Sequence, residues 1–191
     1  NLEWTNDGFH IQGWVIPPGH VELGKKYPMI VLIHGGPSSA TTPEWPASFG
    51  MSRAIVGALS SQGYYVLLPN PRGSYGQGES FTKANVKDFG HGDLRDILTG
   101  VDEVIKKYPV DANRLGVTGW SYGGYMTMWT VTQTNRFRAA MAGAGIAGAG
   151  AAGAGMAGAG AGAAAAGWAG AGAGTAGAGG GGNVPAAFIS R

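Results

Sequence analysis

The chain has 191 residues, a formal net charge of +2, 37 glycines and no cysteine. This length predicts one domain with or without an appendage, and the small charge argues against nucleic acid or a membrane surface as a partner. The lack of cysteine excludes disulfides, a thiolate nucleophile and cysteine-ligated metals. The sequence starts at Asn1 without a secretory leader, which is typical of a mature or excised piece and leaves the compartment undetermined.

The composition changes abruptly along the chain. Residues 143–182 consist of 18 glycines, 18 alanines and four other residues, none of them charged. Such low complexity is not typical of a packed core. We therefore predict three segments: a globular part over 1–147, a Gly/Ala block over 148–182, and a short tail of ordinary sequence over 183–191.

The first elements in chain order are strands. Alternating residues around Asp7-Gly8 predict a β-hairpin over residues 4–16. Short apolar runs bounded by Pro and Gly are typical of strands buried on both faces. They occur at residues 28–33, 64–68, 115–118 and 137–141.

Helical patterns lie between these strands. Residues 55–59 fit one helix face, and apolar residues recur at helical spacing over 94–105 up to Pro109. Residues 125–129 continue without a turn signal and are compatible with a helix. Alternating strands and helices predict an α/β fold with a mostly parallel sheet and right-handed crossovers.

The segment Gly119-Trp120-Ser121-Tyr122-Gly123 matches the pattern G-x-S-x-G. It follows a predicted strand and precedes a predicted helix, where a serine on a sharp turn needs small neighbours. Amides at the helix start would then face the space beside Ser121 Oγ, where negative charge develops in acyl transfer. The alternative is a glycine-rich turn with an incidental serine.

A second glycine-rich segment, His34-Gly35-Gly36-Pro37, follows the first buried strand. An early loop of this type supplies a second oxyanion donor in hydrolases with a G-x-S-x-G turn. Gly36 lacks a Cβ, so its N–H can approach a substrate carbonyl closely. The alternative is a tight turn, and we interpret His34 as shaping this loop rather than as a base.

Two further segments could be mistaken for ligand sites. Residues 70–78 follow the second buried strand but do not fit a phosphate-binding loop, so we predict a structural loop with Arg72 in a buried ion pair. A contact of Arg72 with a substrate carboxylate is the alternative. His91 and Asp93 at a helix start are more typical of a cap than of a metal site.

Together, residues 119–126, 34–37 and 70–74 resemble the prolyl oligopeptidase family of serine peptidases, which includes dipeptidyl peptidases and acylaminoacyl peptidases. The spacing of the three motifs is also similar, and the resemblance covers about residues 5–147. A tryptophan before the serine and a tyrosine after it distinguish this family from most esterases.

The resemblance implies an α/β-hydrolase fold with helices on both faces of the sheet, incomplete or unassigned at its C-terminal part. It implies cleavage of peptides or acyl-amino acids through an acyl-enzyme on Ser121. The backbone N–H groups of Tyr122 and Gly36 would form the oxyanion hole. A peptide substrate is the expected partner, and no cofactor or metal is implied.

The sequence departs from the family in two ways. Family members usually carry a β-propeller before this domain, and these 191 residues include none. Residues 122–191 contain no Asp, Glu or His, although the acid and base of these hydrolases follow the serine. Without a base the Ser121 hydroxyl is a poor nucleophile. An esterase of the same fold and a non-catalytic α/β-hydrolase-like protein are therefore the alternative functions.

The Gly/Ala block has three interpretations. The letters stand in for side chains that were not identified, which the abrupt onset and the ordinary sequence after residue 182 favour. Alternatively, the sequence is literal and the fold is truncated, with a disordered tail. In the third interpretation the block is a silk-like segment or a membrane span, although its repeat is irregular and large aliphatic residues are nearly absent.

Overall fold

A computed structural model describes residues 1–43, 51–145 and 187–190 of the chain. The predicted Gly/Ala block over 148–182 lies outside these described residues, so the proposed segment boundaries stay predictions. Within the described part, no helix is both long and apolar enough to span a bilayer.

The described residues form one mixed sheet with four helices. The strands are β1 (Leu2–Asn6), β2 (Phe9–Ile16), β3 (Tyr27–Ile33), β4 (Tyr65–Asn70), β5 (Val110–Trp120), β6 (Ala139–Gly143) and β7 (Ala187–Ser190). The helices are α1 (Met51–Ser61), α2 (Glu79–Lys83), α3 (Gly92–Lys107) and α4 (Tyr122–Gln133).

The strand order is β1-β2-β4-β3-β5-β6-β7. The four central strands β4, β3, β5 and β6 are parallel, while β1, β2 and β7 pair antiparallel at the two edges. The predicted α/β class with a mostly parallel sheet is confirmed. So are the hairpin at Asp7-Gly8, the four apolar strands and the amphipathic helix, which is α3.

Three elements differ from the prediction, and one of them is the edge strand β7, which lies in the tail where no strand was predicted. Strand β5 begins at Val110 rather than Leu115, because Tyr27 at the start of β3 pairs with Val110 and donates its N–H to Pro109 O at 2.8 Å. The short helix α2 was not predicted, since its five residues bury only Phe81 and show no apolar period.

The core lies on both faces of the sheet. Successive residues of β4 point to opposite sides, so that Leu67 packs in one apolar cluster and Val66 in another. The larger cluster includes Ile97 of α3 and Met126 of α4, and the smaller one includes Val56 of α1. Helices therefore cover both faces, and the loops that leave β3, β4 and β5 meet at the carboxyl edge of the sheet.

Candidate active site

Ser121 forms the turn between β5 and α4. Its backbone has φ 57° and ψ −118°, a left-handed conformation that is costly for a residue with a Cβ. Its N–H donates to Gly143 O at 2.9 Å, and its carbonyl accepts from Tyr125 N–H at 3.0 Å as α4 begins. The half-buried serine therefore sits on a sharp strand-to-helix bend, as the sequence predicts.

The two glycines of the motif allow this bend by letting backbone segments touch. A Cβ on Gly123 would lie 2.0 Å from Ile33 O at the end of β3, and a Cβ on Gly119 would lie 2.5 Å from the carbonyl carbon of Gly123. No other residue fits at either position without moving main chain. The turn is thus held against the end of the neighbouring strand.

We expect Gly123→Ala to lower the free energy of unfolding by about 1–3 kcal/mol, because the added methyl forces β3 and α4 apart. Denaturant unfolding measures the loss. Gly19→Ala is the matched control, since a Cβ there meets no atom within 4 Å. Equal stability of the two variants would contradict the close approach of Gly123 to Ile33.

The loop after β3 lies directly beside the serine. A Cβ on Gly35 would lie 3.4 Å from Ser121 Cβ and 4.0 Å from its Oγ. Gly36 has φ +130°, and a Cβ there would lie 2.8 Å from Ser38 N. The parallel pairing of Ile33 with Gly119 explains why the two glycine-rich motifs meet.

The start of α4 places backbone amides outside the helical hydrogen-bond pattern at this site. Its first hydrogen bond is donated by Tyr125 N–H, so the N–H of Tyr122 precedes the helical pattern and has no acceptor four residues back. Helix N-termini carry partial positive charge and favour anions. This arrangement can stabilise an oxyanion that forms on a group bound at Ser121.

The side chain of Tyr122 is anchored in the core beneath the turn. Its hydroxyl donates to Asp93 Oδ2, and both side chains are fully buried. Asp93 Oδ1 accepts the N–H of Leu94 at 2.8 Å, and the Phe89 ring packs edge-on against Tyr122. This contact fixes the residue whose amide is the candidate oxyanion donor.

The predicted capping role at the start of α3 needs correction. His91 occupies the position before the helix but is exposed and makes no capping hydrogen bond with its side chain. Its ring packs edge-on against Trp129. Asp93 serves as the acceptor for Tyr122, because α4 packs close enough to α3 for the two side chains to meet.

Burial raises the pKa of Asp93 above the ordinary value of 3.8. The folded protein then binds the Asp93 proton more tightly than the unfolded chain. This contribution to stability is complete below the ordinary value and is lost as the pH rises through the folded pKa. We therefore expect the wild type to lose stability relative to Asp93→Asn as the pH rises from the ordinary value of 3.8 through the raised pKa of Asp93.

Denaturant unfolding across this pH range measures the Asp93 effect. Asp111→Asn is the control of opposite sign, because hydrogen bonding by Asn113 N–H lowers the pKa of Asp111. There the wild type should gain stability relative to its variant as the pH rises. Parallel pH profiles for the wild type and Asp93→Asn would contradict the raised pKa.

The predicted buried ion pair of Arg72 is confirmed. Its guanidinium donates to both carboxylate oxygens of Asp96, at 2.8 and 2.6 Å, and the backbone N–H of Arg72 donates to the same carboxylate at 2.9 Å. Asp7 accepts a hydrogen bond from the guanidinium at 3.0 Å, and the guanidinium carbon lies 4.9 Å from the centre of the Phe9 ring. The hydrogen bonds and charge of Asp96 raise the pKa of Arg72, so it stays a cation, and its buried bonds make it structural.

His34 shapes its loop, as predicted. Its Nδ1 lies 2.7 Å from Gly35 O and its Nε2 lies 2.9 Å from Ser74 Oγ, so both ring nitrogens have partners. Burial lowers the pKa of His34, which keeps the ring neutral near pH 7. With neither nitrogen free, His34 has no lone pair to offer Ser121 as a base.

Comparison with known proteins decides the family. A model of the prolyl oligopeptidase family of peptidases matches residues 50–151. The chain belongs to this family. The resemblance expected from the three motifs is therefore confirmed.

Two curated peptidases are similar to the chain. The chain is 44% identical over 138 residues to the uncharacterized peptidase YuxL of Bacillus subtilis. The aligned stretch covers 72% of the chain and 20% of the relative. The chain is 37% identical over 143 residues to dipeptidyl-peptidase 5 of Porphyromonas gingivalis, covering 74% and 20%. The chain thus spans about a fifth of the length of these relatives.

Solved structures of the family have the same fold. An acylaminoacyl peptidase bound to a chloromethyl ketone superposes with a TM-score of 0.67 at 36% identity, covering 76% of the chain and 22% of that structure. The uncomplexed acylaminoacyl peptidase of Pyrococcus horikoshii gives a TM-score of 0.66 at 36% identity, with the same coverage. The expected α/β-hydrolase fold is confirmed.

Proposed function

We propose that this chain carries the nucleophile of a serine peptidase that cleaves peptide or acyl-amino acid bonds through an acyl-enzyme on Ser121. The observation that carries the proposal is the left-handed Ser121 at the β5–α4 bend, with Gly35 packed against it. Family membership and the names of the relatives, which are peptidases and dipeptidyl peptidases, support this function.

In the proposed reaction, Ser121 Oγ attacks the substrate carbonyl carbon and gives its proton to a base. The carbonyl oxygen becomes an anion that accepts hydrogen bonds from the N–H groups of Tyr122 and Gly36. The C–N bond then breaks, the base protonates the leaving amine, and a peptidyl or acyl ester of Ser121 remains. Water, deprotonated by the same base, hydrolyses the ester and restores the hydroxyl.

We assign the general base to a histidine that lies downstream of this segment, outside the described residues. Residues 122–191 contain no Asp, Glu or His, and both nitrogens of His34 are engaged. The proposed activity therefore belongs to a protein that carries this segment together with a histidine downstream. If the Gly/Ala block is the true sequence, the 191-residue chain alone is expected to be inactive.

A fluorophosphonate probe tests the proposal, with the adduct mapped by mass spectrometry. In a protein with this segment and a downstream histidine, we expect one adduct, on Ser121. The 191-residue chain is the matched control and should stay unlabelled. An unmodified Ser121 in the folded protein with the downstream histidine would overturn the enzyme proposal in favour of a non-catalytic role.

Substrate hydrolysis by the same protein distinguishes a peptidase from an esterase. Aminoacyl amide and acylaminoacyl amide substrates report peptidase activity, and p-nitrophenyl esters report esterase activity. We expect hydrolysis of both classes, because an acyl-enzyme forms from either. Hydrolysis of esters alone, with no amide cleaved, would assign the protein to the esterases.

A further inference from the structure

A chain of hydrogen bonds links the loop after β4 to the candidate oxyanion loop. Ser74 is 1% exposed, and its Oγ lies 2.9 Å from His34 Nε2. On the other side of the ring, His34 Nδ1 lies 2.7 Å from Gly35 O. A carbonyl oxygen only accepts, so Nδ1 carries the proton, and in the neutral ring Nε2 accepts the hydroxyl proton of Ser74.

The peptide plane transmits this arrangement to Gly36. The carbonyl of Gly35 and the N–H of Gly36 belong to one planar peptide unit, so a hydrogen bond to the oxygen fixes the direction of the N–H. Gly36 has no Cβ to restrict its rotation, and its φ of +130° lies where glycine is free to move. The imidazole therefore supplies a restraint that the backbone at this position lacks.

We propose that Ser74 and His34 are positioning residues that aim the Gly36 N–H at the carbonyl oxygen of the substrate. Gly35 O fixes the tautomer of His34, Ser74 holds the other side of the ring, and the peptide plane carries the effect to the donor. This role rests on the proposed function, since it presumes that Gly36 is an oxyanion donor. Neither side chain touches the reacting atoms.

The loop that holds Ser74 is rigid enough to act as a support. Ser74 N–H donates to Pro71 O at 3.0 Å, and Gly73 N–H donates to Phe81 O at 2.9 Å. The neighbouring Arg72 is fixed by its buried ion pair with Asp96. Ser74 therefore projects from a fixed frame rather than from a mobile surface turn.

Further bonds tie the same two loops together. Tyr75 N–H donates to Ser39 O at 2.8 Å. The Asn70 amide accepts from Thr41 N–H at 2.7 Å and donates to Thr41 O at 3.0 Å. The described residues of the loop after β3 are therefore held at Ser39 and Thr41 by the end of β4 and the loop that follows it, with Ser74 supporting the segment nearest Ser121.

Steady-state kinetics of Ser74→Ala test the proposal in the protein that carries this segment together with a histidine downstream of it. Removing an oxyanion donor costs about 10²–10³-fold in kcat, and a misdirected donor should cost about 10-fold or more with KM changed less than about twofold. Ser61→Ala is the matched control, because that exposed hydroxyl bonds only Ala58 O in its own helix. Denaturant unfolding of both variants checks that the protein is folded.

Nitrogen-15 spectroscopy of histidine in the 191-residue chain gives a readout that does not depend on activity. We expect His34 to be neutral at pH 7 with its proton on Nδ1. In Ser74→Ala the Nε2 resonance should shift, because its hydrogen-bond donor is lost. A proton on Nε2 in the wild type would overturn the proposed chain of bonds.

The outcomes separate this inference from the proposed function. Labelling of Ser121 together with an unchanged kcat in folded Ser74→Ala would overturn the positioning role and leave the peptidase intact. Absence of labelling in the wild type would overturn the peptidase and, with it, any role of Ser74 in catalysis. A kcat loss with unchanged KM and the Nδ1 tautomer would support both.

Discussion

Ser121→Ala is expected to reduce kcat for peptide amide cleavage by about 10⁶-fold in the protein that carries a histidine downstream of this segment. This is the scale seen when a serine nucleophile is removed. The reason is that no covalent intermediate can form without the hydroxyl, while the amides of Tyr122 and Gly36 remain in place. Cleavage of a chromogenic aminoacyl amide measures the loss, and KM should change little because the bound substrate keeps its other contacts.

Ser61→Ala is the control for loss of a serine hydroxyl and should keep wild-type kcat, since Ser61 is exposed at the end of α1. The Ser121→Ala protein should also lose the fluorophosphonate adduct entirely. Retention of more than about one tenth of wild-type kcat would mean that another residue is the nucleophile.

Asp96→Ala is expected to lower the free energy of unfolding by about 3–5 kcal/mol. Asp96 is fully buried and neutralises Arg72, whose side chain is 6% exposed. Removing the carboxylate leaves a buried guanidinium without its main partner, because Asp7 contacts only one of its nitrogens. Denaturant unfolding at pH 7 measures the loss.

Asp102→Ala is the matched control, because it breaks an ion pair with Arg136 in which the Asp102 side chain is 63% exposed. Such exposed pairs contribute about 1 kcal/mol or less. The double variant Arg72→Met with Asp96→Leu should be more stable than Asp96→Ala alone, because it leaves no unpaired charge. Equal losses in Asp96→Ala and Asp102→Ala would contradict a structural role for the Arg72 pair.

The central elements were predictable because each has a local signal. The apolar run before His34 and the helical period of α3 identify buried elements without knowledge of their neighbours. The glycines around Ser121 predict a sharp turn, since only small residues tolerate it. Parallel pairing of β3 with β5 then brings both glycine-rich motifs to one edge.

The supporting contacts were not predictable because they join distant parts of the chain. Ser74 lies 40 residues from His34, and Asp93 lies 29 residues from Tyr122. The motif over residues 70–74 marks this loop, but it does not show that the Ser74 hydroxyl is buried against His34. Only the packing of α3 against α4, and of one loop against the next, shows what these side chains hold.

The close approach of Gly123 to Ile33 O has a consequence for protein engineering. Since no gap separates the two backbones, the nucleophile bend and the first residues after β3 must shift as one unit. Directed evolution toward new substrates is therefore expected to succeed through changes outside these two segments. Changes to the backbone between Ile33 and Gly35 should be rejected in the same libraries.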